Sequence, residues 1–400
     1  MSRGRGEGRA SSEDDQGTRR FALFYLGFRP FYLLASLFAA ASVLLWIAQY
    51  AGWLSANAYL AGPVWHGHEM VFGFAEAVIA GFLFTAVRNW TGHPTPTGAT
   101  LAAIAAVWLA ARIAVLTPYG WLAMALSAAF PLLVAAGIAR PLAASGNTRN
   151  YFFVALLVAL ALADVAFNLA YRDVLDFSTV RGLHIALDVV LFVIAVIGGR
   201  VIPMFTNNAT PGAGAGRHPL IERAALATVL LVLAADLLHA PAWATSIAAA
   251  LAALANGARL SLWHPWRTLR TPLVWILHFG YGWIVVHFAL RAFAGIGIVP
   301  EPLATHALTM GAIGAMTIGM MTRTARGHTG RPLGADRWEI TMFVAINIAA
   351  FARVFGPLAA PSHYLPCVVA AGLLWSATYA LYAIRYWPIL TRPRADGKPG

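Results

Sequence analysis

Apolar residues run along this chain in long unbroken stretches, separated by short interruptions rich in Gly, Pro and Arg. A helix crosses a bilayer with about 20 consecutive apolar residues. Stretches of that length recur from residue 30 almost to the C-terminus. They predict twelve membrane helices, over 30–50, 64–87, 98–117, 120–139, 150–171, 182–203, 220–239, 242–262, 272–291, 302–322, 338–357 and 364–387. The expected fold class is all-α, a polytopic membrane helix bundle of about twelve transmembrane helices. A disordered cytoplasmic tail is expected over 1–28, a single transmembrane bundle over 29–390 and a second cytoplasmic tail over 391–400.

Composition agrees with this pattern. The chain is 60% hydrophobic and only 11% charged, where a soluble domain is roughly a quarter charged. Its one cysteine, Cys367, excludes an intrachain disulfide and any cysteine-based metal or redox motif. The polar first twenty residues lack the apolar stretch of a signal peptide.

The net charge of +12 changes the picture less than its size suggests. With the N-terminus placed in the cytoplasm, 23 of the 28 Lys and Arg residues fall on the cytoplasmic side. Arg112, Arg172, Arg181, Arg291 and Arg353 fall outside. Such a bias is the positive-inside asymmetry of a multi-pass protein. The expected partner is therefore the lipid bilayer. No nucleic acid is expected, because no aromatic-interleaved basic module accompanies the charge.

Candidate chemistry lies in the histidines. In this topology His66 and His68 sit at the outer start of the second span, His184 at that of the sixth and His306 at that of the tenth. The intervals from His66 to His184 and on to His306 are 118 and 122 residues, four helices each. The cytoplasmic ends of the same spans are alike as well: "GFLFTAVRNWTGHPTP", "GGRVIPMFTNNATPG" and "GMMTRTARGHTGRPLG". A four-helix repeat present three times would place spans 2, 6 and 10 around a pseudo-threefold axis.

Neutral imidazole is the commonest protein metal ligand, for haem iron and copper alike. His66, His68, His184 and His306 are the expected metal ligands. Asp188, one helical turn after His184, would fix its tautomer unless it pairs with an arginine on another helix. Glu69 and Glu76 share a face and would carry protons, bind a cation or form a hydrogen-bonded pair. His66 and His68, two residues apart, point about 200° apart on a regular helix and should serve different sites unless the span begins irregularly after Pro63. Asp164 and Asn168 repeat the one-turn spacing. His93, His218, His264 and His363 read as loop or interfacial residues, and Met316, Met320 and Met321 as packing. No Walker, G-x-S-x-G or H-E-x-x-H motif occurs.

Several stretches together resemble the NnrS family. They are "FRPFYLLA" (28–35), "WHGHEMVFGF" (65–74), "GFLFTAVRNWTG" (81–92), "GGRVIPMFTNN" (198–208), "LHFGYGW" (277–283) and "HALTMGAIGAMTIGMMTRTARGHTGRPL" (306–333). The resemblance reaches from the first span to the loop after the tenth. It implies a haem- and copper-containing protein of the bacterial inner membrane, with haem b and copper as expected cofactors. It also implies a link to nitric oxide metabolism and nitrosative-stress tolerance. By motif position the matched residues are His66, His68, Glu69, Asn89, Arg200, Asn207, His278, His306, Arg323, His328 and Arg331, with His184 and Asp188 matching more loosely. The resemblance thereby adds His278, Arg200 and Arg323 as cofactor-binding residues and His328 behind them.

A looser likeness is to haem–copper oxidase subunit I, also of twelve spans in pseudo-threefold order. The tenth span here carries His306 where the oxidases carry a close histidine pair. The seventh carries one histidine where they carry two. One haem b with one copper, or a single dinuclear site, suits this histidine supply better. Arg172, Arg181 or Arg291 would meet the haem propionates. Three functions follow: a metalloprotein that binds or redox-processes nitric oxide near the outer face, a non-catalytic haem-based sensor or accessory protein, or a transporter of a metal or small solute.

Overall fold

Twelve long helices take up the apolar stretches, and the connections between them are short. A computed structural model describes residues 21–55 and 58–398. The helices are α1 (Phe28–Tyr50), α2 (Gly62–Thr91), α3 (Gly98–Val115), α4 (Gly120–Ala144), α5 (Phe152–Tyr171), α6 (Thr179–Ala209), α7 (Pro219–Leu237), α8 (Ala242–Ser261), α9 (Pro272–Gly295), α10 (Glu301–His328), α11 (Arg337–Val354) and α12 (Tyr364–Thr391). The all-α expectation is met.

Ten of the described helices are long and apolar enough to cross a membrane; α7 and α8 are the two that fall short. The reason lies in their residues. α7 carries Glu222, Arg223 and Asp236 within nineteen positions, and α8 is built mainly of small residues with Asn256 and Arg259 near its end. The two helices pack along each other. Arg259 reaches Glu222 through Nη2 and Oε2 at 2.6 Å, and also donates to the Tyr281 hydroxyl of α9 at 2.9 Å. Glu222, Asp236 and Arg259 therefore face partners inside the bundle, whereas Arg223 is exposed.

Consecutive helices pack side by side, and α12 returns against α1 to close the bundle. Helices suit this composition because a spanning segment must satisfy its own backbone hydrogen bonds. Phe31 of α1 meets Phe84 of α2 and Phe130 of α4, with ring centroids 6.1 and 5.5 Å apart. On the other side Tyr379, Tyr382 and Tyr386 of α12 are buried in a row. α11 starts on a full capping box. The Asp336 carboxylate accepts from Trp338 N at 2.8 Å, and Glu339 accepts from Asp336 N at 2.9 Å.

The first and last described segments meet at one end of the bundle. Arg29 donates to the carbonyls of Leu390 and Arg392 at 2.9 and 2.8 Å. Arg394 donates to the His328 carbonyl at 2.8 Å. Residues 1–20 of the expected N-terminal tail lie outside the described residues, but Ala22 N donates to Thr391 O at 2.7 Å and Ala22 and Leu26 are buried. Ala395 N likewise donates to Thr329 O at 2.9 Å. The short segments flanking α1 and α12 thus pack together at that end.

α2 and α10 each contain a π-helical stretch, Glu69–Ala75 and Ala307–Ile313. An extra residue per turn shifts the faces of a helix and often marks a functional position. α6 has no such stretch and carries Pro203 instead. The three spans expected to be equivalent therefore differ in local geometry.

Candidate functional site

At the end opposite Ala22 and Ala395, α1, α2, α6, α10, α11 and α12 enclose a cavity of about 390 Å³. Small-molecule and cofactor pockets are commonly of this order, roughly 300–1,000 Å³. α2 brings His66 to it, α6 brings His184 and α10 brings His306. α11 adds Arg353. Trp46, Met70, Phe74, Leu187, Ile313 and Trp375 make most of the remaining wall apolar.

Local sequence explains how these side chains arrive. Gly62 takes a left-handed φ of +57°, and Pro63 then opens α2. His66 follows within one turn and stacks on Trp46 of α1, with centroids 4.2 Å apart and planes 20° apart. Its Nδ1 is buried without a hydrogen-bond partner. Gly67 allows α6 to come close, since a Cβ there would stand 2.8 Å from Leu183 Cδ1, next to His184. His184 Nδ1 lies 3.6 Å from Glu301 Oε1. On α10, His306 Nδ1 donates to the Pro302 carbonyl at 2.6 Å. That bond fixes the ring and leaves Nε2 as the nitrogen with an unshared lone pair.

His68 goes elsewhere. It is fully buried on the other side of α2, with Nδ1 2.8 Å from Glu69 Oε1 and Nε2 2.7 Å from Asp164 Oδ1 of α5. Arg112 of α3 donates to the same Glu69 oxygen at 2.8 Å and to Ser127 Oγ of α4 at 3.0 Å. Asn168 Nδ2 donates to Asp164 Oδ1 at 2.9 Å, and the Tyr59 hydroxyl donates to Asn168 at 3.2 Å. Gly73 makes room for the guanidinium, because a Cβ there would stand 2.8 Å from Arg112 Nη1. Both imidazole nitrogens of His68 face carboxylates, so this arrangement offers a metal neither. His68, expected as a metal ligand with Glu69 supporting it, thus stands in an ion-pair network away from the cavity that His66 lines.

Asp188 also differs from the expectation that it orients His184. It pairs with Arg291 at 3.3 Å, and Arg291 pairs in addition with Asp236 of α7. The competing reading, an arginine on another helix, describes Asp188. Glu76 is buried with both carboxylate oxygens unpartnered, apart from Glu69.

The residues added by motif position are scattered. His278 accepts or donates at Thr206 Oγ1, 2.9 Å away, and lies beside Trp263. Arg200 donates to Asn150 at 2.7 Å. Arg323 stacks over Phe205 at 3.8 Å. His328, 5.8 Å from the Phe28 ring, is at the end where the segments flanking α1 and α12 meet. None of these four lines the cavity. Arg172 lies over the Trp121 ring and Arg181 over that of Phe177, at 4.2 and 5.6 Å.

Two arginines carry more than the sequence reading gave them. Arg112 and Arg353 entered it as outer basic residues alone. A charge inside an apolar span is a functional candidate by default, and both were visible on that ground. Among the described residues, no three His, Cys, Asp or Glu side chains group closely enough to hold a metal ion by themselves. No curated protein matches the chain. The family model described as "NnrS protein" matches residues 22–394, nearly the whole length, from the docked N-terminal segment through α12. With the cavity, the histidines and the α10 motif all inside that match, the chain belongs to the NnrS family.

Proposed function

We propose that the cavity holds a haem b and that the protein binds or redox-processes nitric oxide there. Family membership suggests a role in the nitric oxide response. The observation that carries the site assignment is the convergence of His66, His184 and His306, from three helices, on one largely apolar cavity.

The residues fit a haem. Haem iron takes one or two imidazoles in an otherwise apolar surround. His306 has its Nδ1 tied to a backbone carbonyl, the usual arrangement behind a metal-bound histidine. His66 has a buried ring nitrogen with no partner, which costs about 1–3 kcal/mol unless something binds it. His66 and His306 would hold the iron, and Trp46 would keep the His66 ring in plane. When bound, the haem supplies an iron able to take a diatomic gas and exchange single electrons. The apolar walls exclude water and admit an uncharged gas. Copper fits less well: His184 shares a small pocket with Glu301, His287 and Asp188, but Asp188 is taken by Arg291 and no three such side chains among the described residues group closely enough to hold a metal. By the positive-inside asymmetry, the cavity opens toward the outer face of a bacterial inner membrane.

Purified protein should show a Soret band that shifts on adding nitric oxide. His66→Ala and His306→Ala should each lose most of that absorbance per mole of folded protein. A wild-type protein without the band, or both variants with the full band, would refute the assignment. Anaerobic consumption of nitric oxide with an electron donor separates turnover from sensing.

A further inference from the structure

The cavity contains a cation that the histidines do not explain. Arg353 is 4% exposed and lines the cavity. Nη2 donates to the Tyr364 hydroxyl at 3.3 Å, a long bond, and the guanidinium carbon stands 5.5 Å from the same ring. Nη1 is buried with no partner. The other buried arginines near this end are differently placed. Arg112 has Glu69, and Arg291 has Asp188 and Asp236. Glu301, the carboxylate on the cavity wall, is largely exposed and stands beside His184.

A guanidinium is always charged and presents five donors in a rigid planar fork that matches a carboxylate. A buried charge left without an anion is strongly unfavourable. The side chain is therefore built to meet an anionic group that enters the cavity from outside the chain. Nitric oxide carries no charge and cannot serve.

We infer that Arg353 is the anchor for a carboxylate of the cavity's ligand, a propionate of the haem if the proposed function holds. Arg172, Arg181 and Arg291, the sequence candidates for this contact, are held over aromatic rings or in ion pairs. Arg353 shares its cavity with both His66 and His306. One ligand can therefore take iron donors from α2 and α10 and a charge partner from α11. The assignment rests on the haem reading but has its own readout.

Full-length protein would be purified in detergent from haem-depleted cells and titrated with haem and with haem dimethyl ester, which lacks the carboxylate charges. Absorbance reports binding. Wild type should bind haem about tenfold or more tightly than the ester. Arg353→Gln should lose most of that preference while still binding the ester as wild type does. Arg353→Lys should keep part of it, since the charge remains without the fork. Equal binding of haem and ester by wild type would overturn the Arg353 assignment and leave the haem reading intact. Binding of neither compound by wild type would overturn both. Unchanged preference in Arg353→Gln would move the anchor to another residue. Ester binding by Arg353→Gln doubles as the check that the variant is folded.

Discussion

His66 and His68 are two residues apart on one helix and live in opposite circumstances. His66 faces a cavity, stacked on Trp46 with a ring nitrogen unpartnered. His68 is clamped between Glu69 and Asp164, with Arg112 behind them. One side of α2 has donors waiting for something that is not part of the chain. On the other, His68, Glu69, Asp164 and Arg112 answer one another from within, and Glu76 further along is the exception. Polar groups inside a bundle are unfavourable unless partnered, so the two sides teach different things. A satisfied cluster is explained by the fold, and an unsatisfied one asks for a ligand.

That contrast is most exposed to failure on the satisfied side. Removing one member of a buried ion-pair network typically destabilises by about 3–5 kcal/mol. Arg112→Ala and His68→Ala should each approach that loss, read as a lower midpoint of thermal or denaturant unfolding in detergent. His66→Ala, measured without haem, should lose clearly less than either, because it removes the Trp46 stack, worth about 0.5–1.5 kcal/mol, but no hydrogen bond or ion pair. If His66→Ala destabilises the haem-free protein as much as His68→Ala, the two sides are not different in kind.

Much of this was legible in the sequence. Long apolar runs fix where helices lie, since the bilayer leaves the backbone no other choice. The similar intervals between His66, His184 and His306, 118 and 122 residues, pointed to the residues that share the cavity. The two-residue step from His66 to His68 implied separate sites, though not which was which. Deciding that needs the partners. Asp164 is 96 residues from His68, and Glu69 is 43 from Arg112. No periodicity encodes such pairings. The π-helical stretch after His68 also turns the lower part of α2 in a way that apolar runs do not register. Arg353 was hidden for a related reason: on α11 it reads as one more basic residue at a helix end, and only its neighbours place it on the cavity.

A smaller effect sharpens the boundary between the two sides. Asp188 and Asp236 both pair with Arg291. In Asp188→Asn the guanidinium keeps Asp236, so the loss should be about 1.5 kcal/mol, the lower range for a hydrogen bond to a charged group. Haem content should not change. The same unfolding midpoints measure the first, and Soret absorbance per protein the second. Haem lost from this variant at unchanged stability would return Asp188 to the metal-supporting role that its spacing from His184 suggested.

The smallest expected effect belongs to Glu76. Glu69 and Glu76 are seven residues apart on α2 and both buried, yet they differ as the two histidines do. Glu69 Oε1 takes Arg112 and His68, whereas neither oxygen of Glu76 has a partner among the described residues. An isosteric amide at Glu69 gives up an ion pair and should cost about 3 kcal/mol. The same change at Glu76 removes no recorded contact, so Glu76→Gln should shift stability by less than about 1 kcal/mol. Unfolding both variants in parallel tests this. If Glu76→Gln falls as far as Glu69→Gln, a cation or ordered water occupies the space beside Glu76. The satisfied side of α2 would then contain a binding site of its own.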